Sequence, residues 1–159
     1  MKKFIGAICS AAAGALTFLF LSLNGLVQKI TVGSVESKEG VSGWDILSDF
    51  ENVEGLGLYK FSTIALIIAA VALIAFAVVL ILQSLKVIKS KFNFAKLNNI
   101  ILTIFVIFAL LALIAAFIMA KDLLLLESSN FSIYAGIGAW LNLVVGAVAC
   151  LLGWVFAKK

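Results

Sequence analysis

The chain has 159 residues, of which 64% are hydrophobic and 13% charged, whereas soluble domains carry about 45–50% apolar residues. That excess excludes a soluble globular protein. There is no His and no Pro, all 12 basic residues are Lys, and Cys9 and Cys150 both lie within long apolar runs, which excludes histidine catalysis, zinc sites of the usual kind and a disulfide-stapled exterior.

Residues 4–27 form the first stretch without a charge. A helix rises 1.5 Å per residue, so about 20 residues cross a hydrocarbon core of about 30 Å, and this stretch is long enough to do so. Met1-Lys2-Lys3 followed by an Ala-rich run resembles the start of a secretory signal. The run exceeds the usual apolar region of about 7–15 residues, so an uncleaved first helix is expected.

Residues 28–60 follow and hold six of the eight acids. Residues 29–36 alternate apolar and polar side chains with β-branched content, the pattern of a short exposed strand. Residues 37–40 read as a turn, and Ser42 is placed to cap a short helix over 44–51. That helix sets Trp44, Leu47 and Phe50 on one side and Asp45 and Asp49 on another. The aromatic residues are either a partner-binding edge or a contact with the membrane interface, where such rings commonly rest.

Residues 61–83 and 100–120 are the second and third charge-free stretches, and 134–157 the fourth. Each predicts a membrane-spanning helix. Between the second and third, residues 84–99 interleave Lys86, Lys89, Lys91 and Lys96 with apolar residues, a pattern suited to anionic lipid headgroups at about 1 kcal/mol per Lys near the surface. After the third, in residues 121–133, Leu123, Leu124, Leu125 and Leu126 exceed what spanning requires. They predict that the third helix continues past the bilayer and lays them on the first loop; a hydrophobic contact site is the alternative.

The charges divide by side. Eight Lys and no acid fall at the two ends and in 84–99, while all eight acids and four Lys fall in the other two connections. Lys near the ends of a span resists translocation, so both termini are expected in the cytoplasm and the protein in the cell membrane. The net charge of +4 then describes no single surface, and a nucleic-acid partner has no support. All 20 charges fall outside the four stretches, leaving one four-helix domain over 1–159 and no room for another.

Helices in lipid associate through close packing and a few polar contacts. Small residues at four-residue spacing mark the packing faces: Gly6, Ser10 and Gly14 in the first span, and Gly138, Asn142 and Gly146 in the fourth. Asn142 is the amide well inside a span. It is either a substrate or ion contact, or an interhelical hydrogen bond of about 0.6–2 kcal/mol; its small neighbours favour the bond. Cys9 and Cys150 lie at similar depths and read as packing residues, a redox pair requiring the first and fourth helices to be adjacent. No ionisable group lies inside the spans, which disfavours proton-coupled transport. No catalytic motif, metal-ligand cluster or cofactor-binding loop is present, so no catalytic residue, metal or cofactor is assigned.

Trp44 and then Gly57-Leu58-Tyr59 in a long first loop, and Leu123–Leu126 in a short second one, resemble the claudin-like tetraspan layout. The paired Cys of that family's first loop are absent here. The Arg-free composition also resembles small bacterial tetraspan proteins. The resemblance implies a compact left-handed bundle with a small strand-containing cap and lateral association. The expectation is an all-α membrane protein acting without enzymatic chemistry as an accessory, scaffolding or self-associating subunit, with lipids and another membrane protein or its own copies as partners. Two alternatives stand beside it. One is a transporter or channel subunit lined by Asn142, Asn24, Thr17, Ser22 and Thr103; the other is a bacterial immunity protein that meets a membrane-active toxin through Trp44 and the acidic loop.

Overall fold

A computed structural model describes residues 2–32, 35–49, 54–88, 93–125 and 131–157. In chain order these form α1 (Lys2–Leu21), β1 (Asn24–Val32), β2 (Val35–Ser42), α2 (Gly43–Asp49), α3 (Leu56–Ser84), α4 (Phe94–Leu125), β3 (Phe131–Ala135) and α5 (Ile137–Ala157). Four of the helices, α1, α3, α4 and α5, are long and apolar enough to cross a membrane.

The helix ends do not coincide with the ends of the charge-free stretches. The first stretch runs to residue 27, but α1 stops at Leu21 and a turn at Ser22 and Leu23 leads into β1. Asn24-Gly25 disfavours a continued helix and the following residues are β-branched or alternate in polarity, so local preference breaks the helix where charge does not. Similarly, Tyr134 and Ala135 belong to β3, and α5 begins only at Ile137. In the other direction, α3 begins five residues before residue 61, and α4 extends beyond 100–120 at both ends. Asn93 caps the start of α4, its Oδ1 accepting the Lys96 N–H at 3.1 Å, which places Asn98 and Asn99 inside the helix.

The cap is a three-stranded antiparallel sheet in the order β2-β1-β3. Residues 37–40, expected as a turn, are strand: Ser37 to Gly40 pair with Ile30 to Val27. The pairing continues to Val32 opposite Val35, and the polar run 36–40 forms an exposed edge strand whose charges discourage further pairing. Lys29 stands opposite Lys38, and this like-charge pair is relieved by Glu36, whose carboxylate meets the Lys29 ammonium at 2.6 Å. The hydrogen bond and charge of Lys29, with Lys38 nearby, hold the Glu36 carboxyl below the ordinary range.

Ser42 caps α2 as expected. Its hydroxyl accepts the Asp45 N–H at 3.2 Å, and the Asp45 carboxylate accepts the Ser42 N–H and hydroxyl at 3.3 and 2.7 Å, a reciprocal capping box. The cap packs on the end of the bundle through Leu26, Ile46 and Ala135, which join Leu56, Tyr59, Leu113, Ala116 and Met119 in one cluster.

Around the bundle, α1 packs against α3 and α5, and α4 packs against the same two helices. The pairs α1/α4 and α3/α5 therefore lie on the diagonals. On α5, side-chain size separates the two faces. On α5, Gly138, Ala139, Asn142, Gly146, Ala149 and Gly153 are buried, while Ile137, Trp140, Val144, Val148 and Leu151 are exposed. Small residues inward and bulky apolar ones outward is the arrangement of helices that meet each other closely and face lipid.

Candidate functional site

Where the cap meets the bundle, Phe20 and Leu21 of α1, Gly25, Gly43, Tyr59 and Thr63 of α3, and Gly138 and Asn142 of α5 enclose a chamber. Its volume for the centre of a water-sized sphere is about 10 Å³, which is about one water. The helices around it approach one another closely. At Gly14 an added Cβ would lie 2.6 Å from the Ala70 carbonyl oxygen of α3, and at Gly138 it would collide with the Phe20 carbonyl of α1. At Gly146 it would lie 2.7 Å from the Phe105 ring of α4. Gly6 differs from these three: it is half-buried, with nothing within 4 Å of an added Cβ. A residue on the same ridge as Gly14 thus makes no comparable contact, while the adjacent Ala7 packs against Ala77 and Leu80 of α3.

Asn142 is buried, 5% exposed, and faces the chamber. Its Nδ2 donates at 3.3 Å to the Gly138 carbonyl, one turn back in its own helix, so the expected interhelical bond is not formed. Its Oδ1 is buried with no hydrogen-bond partner, as is the Thr63 hydroxyl. The Tyr59 phenol is close enough to Thr63 for a side-chain hydrogen-bonding interaction, but the Thr63 oxygen has no partner of full hydrogen-bond geometry.

The direct interhelical amide bonds lie at the other end of the bundle. Asn98 Nδ2 donates to Ser10 Oγ at 2.7 Å, and Ser10 in turn donates to the Gly6 carbonyl at 3.0 Å. This chain crosses the α1/α4 diagonal. Asn99 Nδ2 donates to the Gly153 carbonyl of α5 at 3.1 Å. Thr103, which donates to the Asn99 carbonyl at 2.9 Å, accepts from Trp154 Nε1 at 3.3 Å and lies 3.7 Å from Cys150 Sγ. Asn98 and Asn99 fall outside the expected span, which begins after them at residue 100 although the charge-free run starts just past Lys96; the Asn93 capping signal three residues before Lys96 is the clue that the helix starts earlier.

The structure separates the other candidate residues. Trp44 is 38% exposed on α2 and Leu47 is half-buried, whereas the fully buried α2 side chain is Ile46. Leu123 packs against the cap-end cluster, as expected of a helix continuing over the first loop, and Asp122 beside it accepts the Glu54 N–H at 2.9 Å. Leu124 and Leu125 belong to α4, but their side chains lie outside those described. Phe50, Leu126, Lys89 and Lys91 lie outside the described residues. Lys86 and Lys96 are exposed, at the end of α3 and the start of α4. Cys9 and Cys150 are free thiols, both half-buried against the central cluster. No group of three or more metal-ligating side chains occurs among the described residues.

No protein-family model matches the chain, and no curated protein matches it. Fold and site define a protein with four helices able to span a membrane and a small sheet at one end.

Proposed function

We propose that the chain is a multi-pass cell-membrane protein, both termini cytoplasmic, that works as an accessory or self-associating subunit and needs no enzymatic chemistry of its own. The charge asymmetry supports the orientation: the sheet and α2 belong to the acid-bearing connections, and the opposite end carries only Lys. The claudin-like layout, with its strand-bearing cap between the first two spanning helices, belongs to the same reading.

The observation that carries it is the closeness of the helices. With Gly14, Gly138 and Gly146 each approached to within contact of a neighbouring helix and a chamber that takes one water, the surfaces large enough for a partner are the outside of the bundle and the cap, where Trp44 is exposed. A solute path through the chain is less well supported. Thr17, Ser22 and Thr103 donate their hydroxyls to carbonyls of their own helix, which leaves them fewer groups to offer a polar solute.

Purification of the tagged protein from its native membrane in mild detergent tests this. A larger assembly or a defined oligomer is expected, weakened by Trp44→Ala at unchanged thermal stability. A protein that runs alone as a monomer and supports solute flux in liposomes would overturn the reading in favour of transport.

A further inference from the structure

Hydroxyls in these helices follow one habit. Ser10, Thr17, Ser62, Ser84 and Thr103 each donate to the carbonyl four residues back, the usual way for a Ser or Thr to be satisfied inside an apolar helix. Thr63, only 1% exposed, does not: its hydroxyl has no partner and it lines the chamber.

Asn142 lines the same chamber from α5. Its amide orientation is set by the Gly138 carbonyl, which accepts from Nδ2. The unpartnered Oδ1 is therefore an acceptor that requires a donor. A buried polar group with no partner is costly, and two such groups on one cavity of one-water volume call for the same guest. α3 and α5 are diagonal helices without a packed interface, so Thr63 and Asn142 line the chamber from opposite corners of the bundle.

We propose that the chamber is a binding site for a single structural water, which donates to Asn142 Oδ1 and exchanges a second hydrogen bond with Thr63 Oγ1, with the Tyr59 phenol on the same wall. The water ties α3 to α5 across the diagonal at the cap end, as the direct Asn98–Ser10 bond ties α4 to α1 across the other diagonal at the far end. A larger guest does not fit the volume. The site requires groups that form two to four bonds with one small molecule that both donates and accepts, which is water's usual role in buried polar cavities.

Proton-detected solid-state NMR of the full chain in lipid bilayers reads the site directly. Magnetisation from water is expected at the Thr63 side chain and at the Asn142 amide, and not at Thr17, which is equally buried but bonded within its own helix. Thr63→Val keeps the side-chain shape and removes the hydroxyl, so it is expected to reduce the water transfer at Asn142 several-fold with backbone shifts of the helices unchanged. Absence of transfer at Thr63 in the unaltered protein overturns the proposal, even if the variant fails to fold. Undiminished transfer at Asn142 in a folded Thr63→Val protein overturns the bridge.

Discussion

Gly6 and Gly14 lie on one ridge of α1, and the structure predicts opposite effects of the same substitution at the two positions. An Ala Cβ at position 14 would sit 2.6 Å from the Ala70 carbonyl oxygen and 2.9 Å from Ile74 Cγ1. Ordinary contact begins near 3.4 Å, so α3 must retreat by most of an ångström at its backbone, which no side-chain rotation can relieve. Overpacking of this kind costs about 1–3 kcal/mol. The better helix propensity of Ala returns about 0.8–1.0 kcal/mol, leaving Gly14→Ala destabilised by up to about 2 kcal/mol. At position 6 nothing lies within 4 Å of the added Cβ, so only the propensity gain remains and Gly6→Ala should be stabilised by up to about 1 kcal/mol. The two variants should differ by about 2 kcal/mol, roughly thirty-fold in the unfolding equilibrium. Reversible unfolding in mixed detergent–lipid micelles measures both. Equal shifts of the same sign would refute the claim that backbone contact, rather than the small-residue pattern, marks the packed face.

Three further outcomes follow from particular contacts. Lys86 holds a left-handed φ of 62° just after α3, where the Lys86 and Val87 N–H groups return to the Gln83 and Leu82 carbonyls as in a Schellman cap; Lys86→Gly should stabilise the protein by about 1 kcal/mol, measured by thermal unfolding. Asn98→Leu and Ser10→Ala, taken singly and together, should show a coupling of about 0.6–1.7 kcal/mol in a double-mutant cycle, and additivity would exclude the α1/α4 bond. Lys29→Met should raise the Glu36 carboxyl back toward its ordinary range, followed by NMR titration. Because folding lowers that value in the intact protein, its stabilising contribution is present above the unfolded carboxyl range and is lost as pH falls through the folded value.

Much of the fold was legible in the residues. Apolar length marked four spanning helices, the alternation at 29–36 marked a strand, and Ser42 marked the start of α2. The continuation of α4 was readable in the surplus Leu run 123–126, of which Leu123 packs against the cap-end cluster. What misled was the use of charge as the boundary. Charge reports where a chain must leave lipid, whereas Asn24-Gly25 and Asn93 report where the backbone changes conformation, and the two positions need not agree.

The site was less legible. The ridge Gly138, Asn142 and Gly146 was visible as a pattern and all three are buried, but the same pattern also selected Gly6, where an added Cβ would meet nothing within 4 Å. The Asn98–Ser10 bond joins residues 88 positions apart, and no local signal pairs them.

By itself, then, the sequence determined the four long apolar helices and the uneven spread of Lys and acid over the segments that connect them, because these follow from composition and from helix rise. Only the tertiary structure decided that β3 returns beside β1 and that Thr63 turns from its own helix toward a chamber shared with Asn142. It also decided which glycines meet a backbone. In lipid-facing helices both faces are apolar, so hydrophobic periodicity cannot tell inside from outside, and that choice is made by the shape of the neighbouring helix.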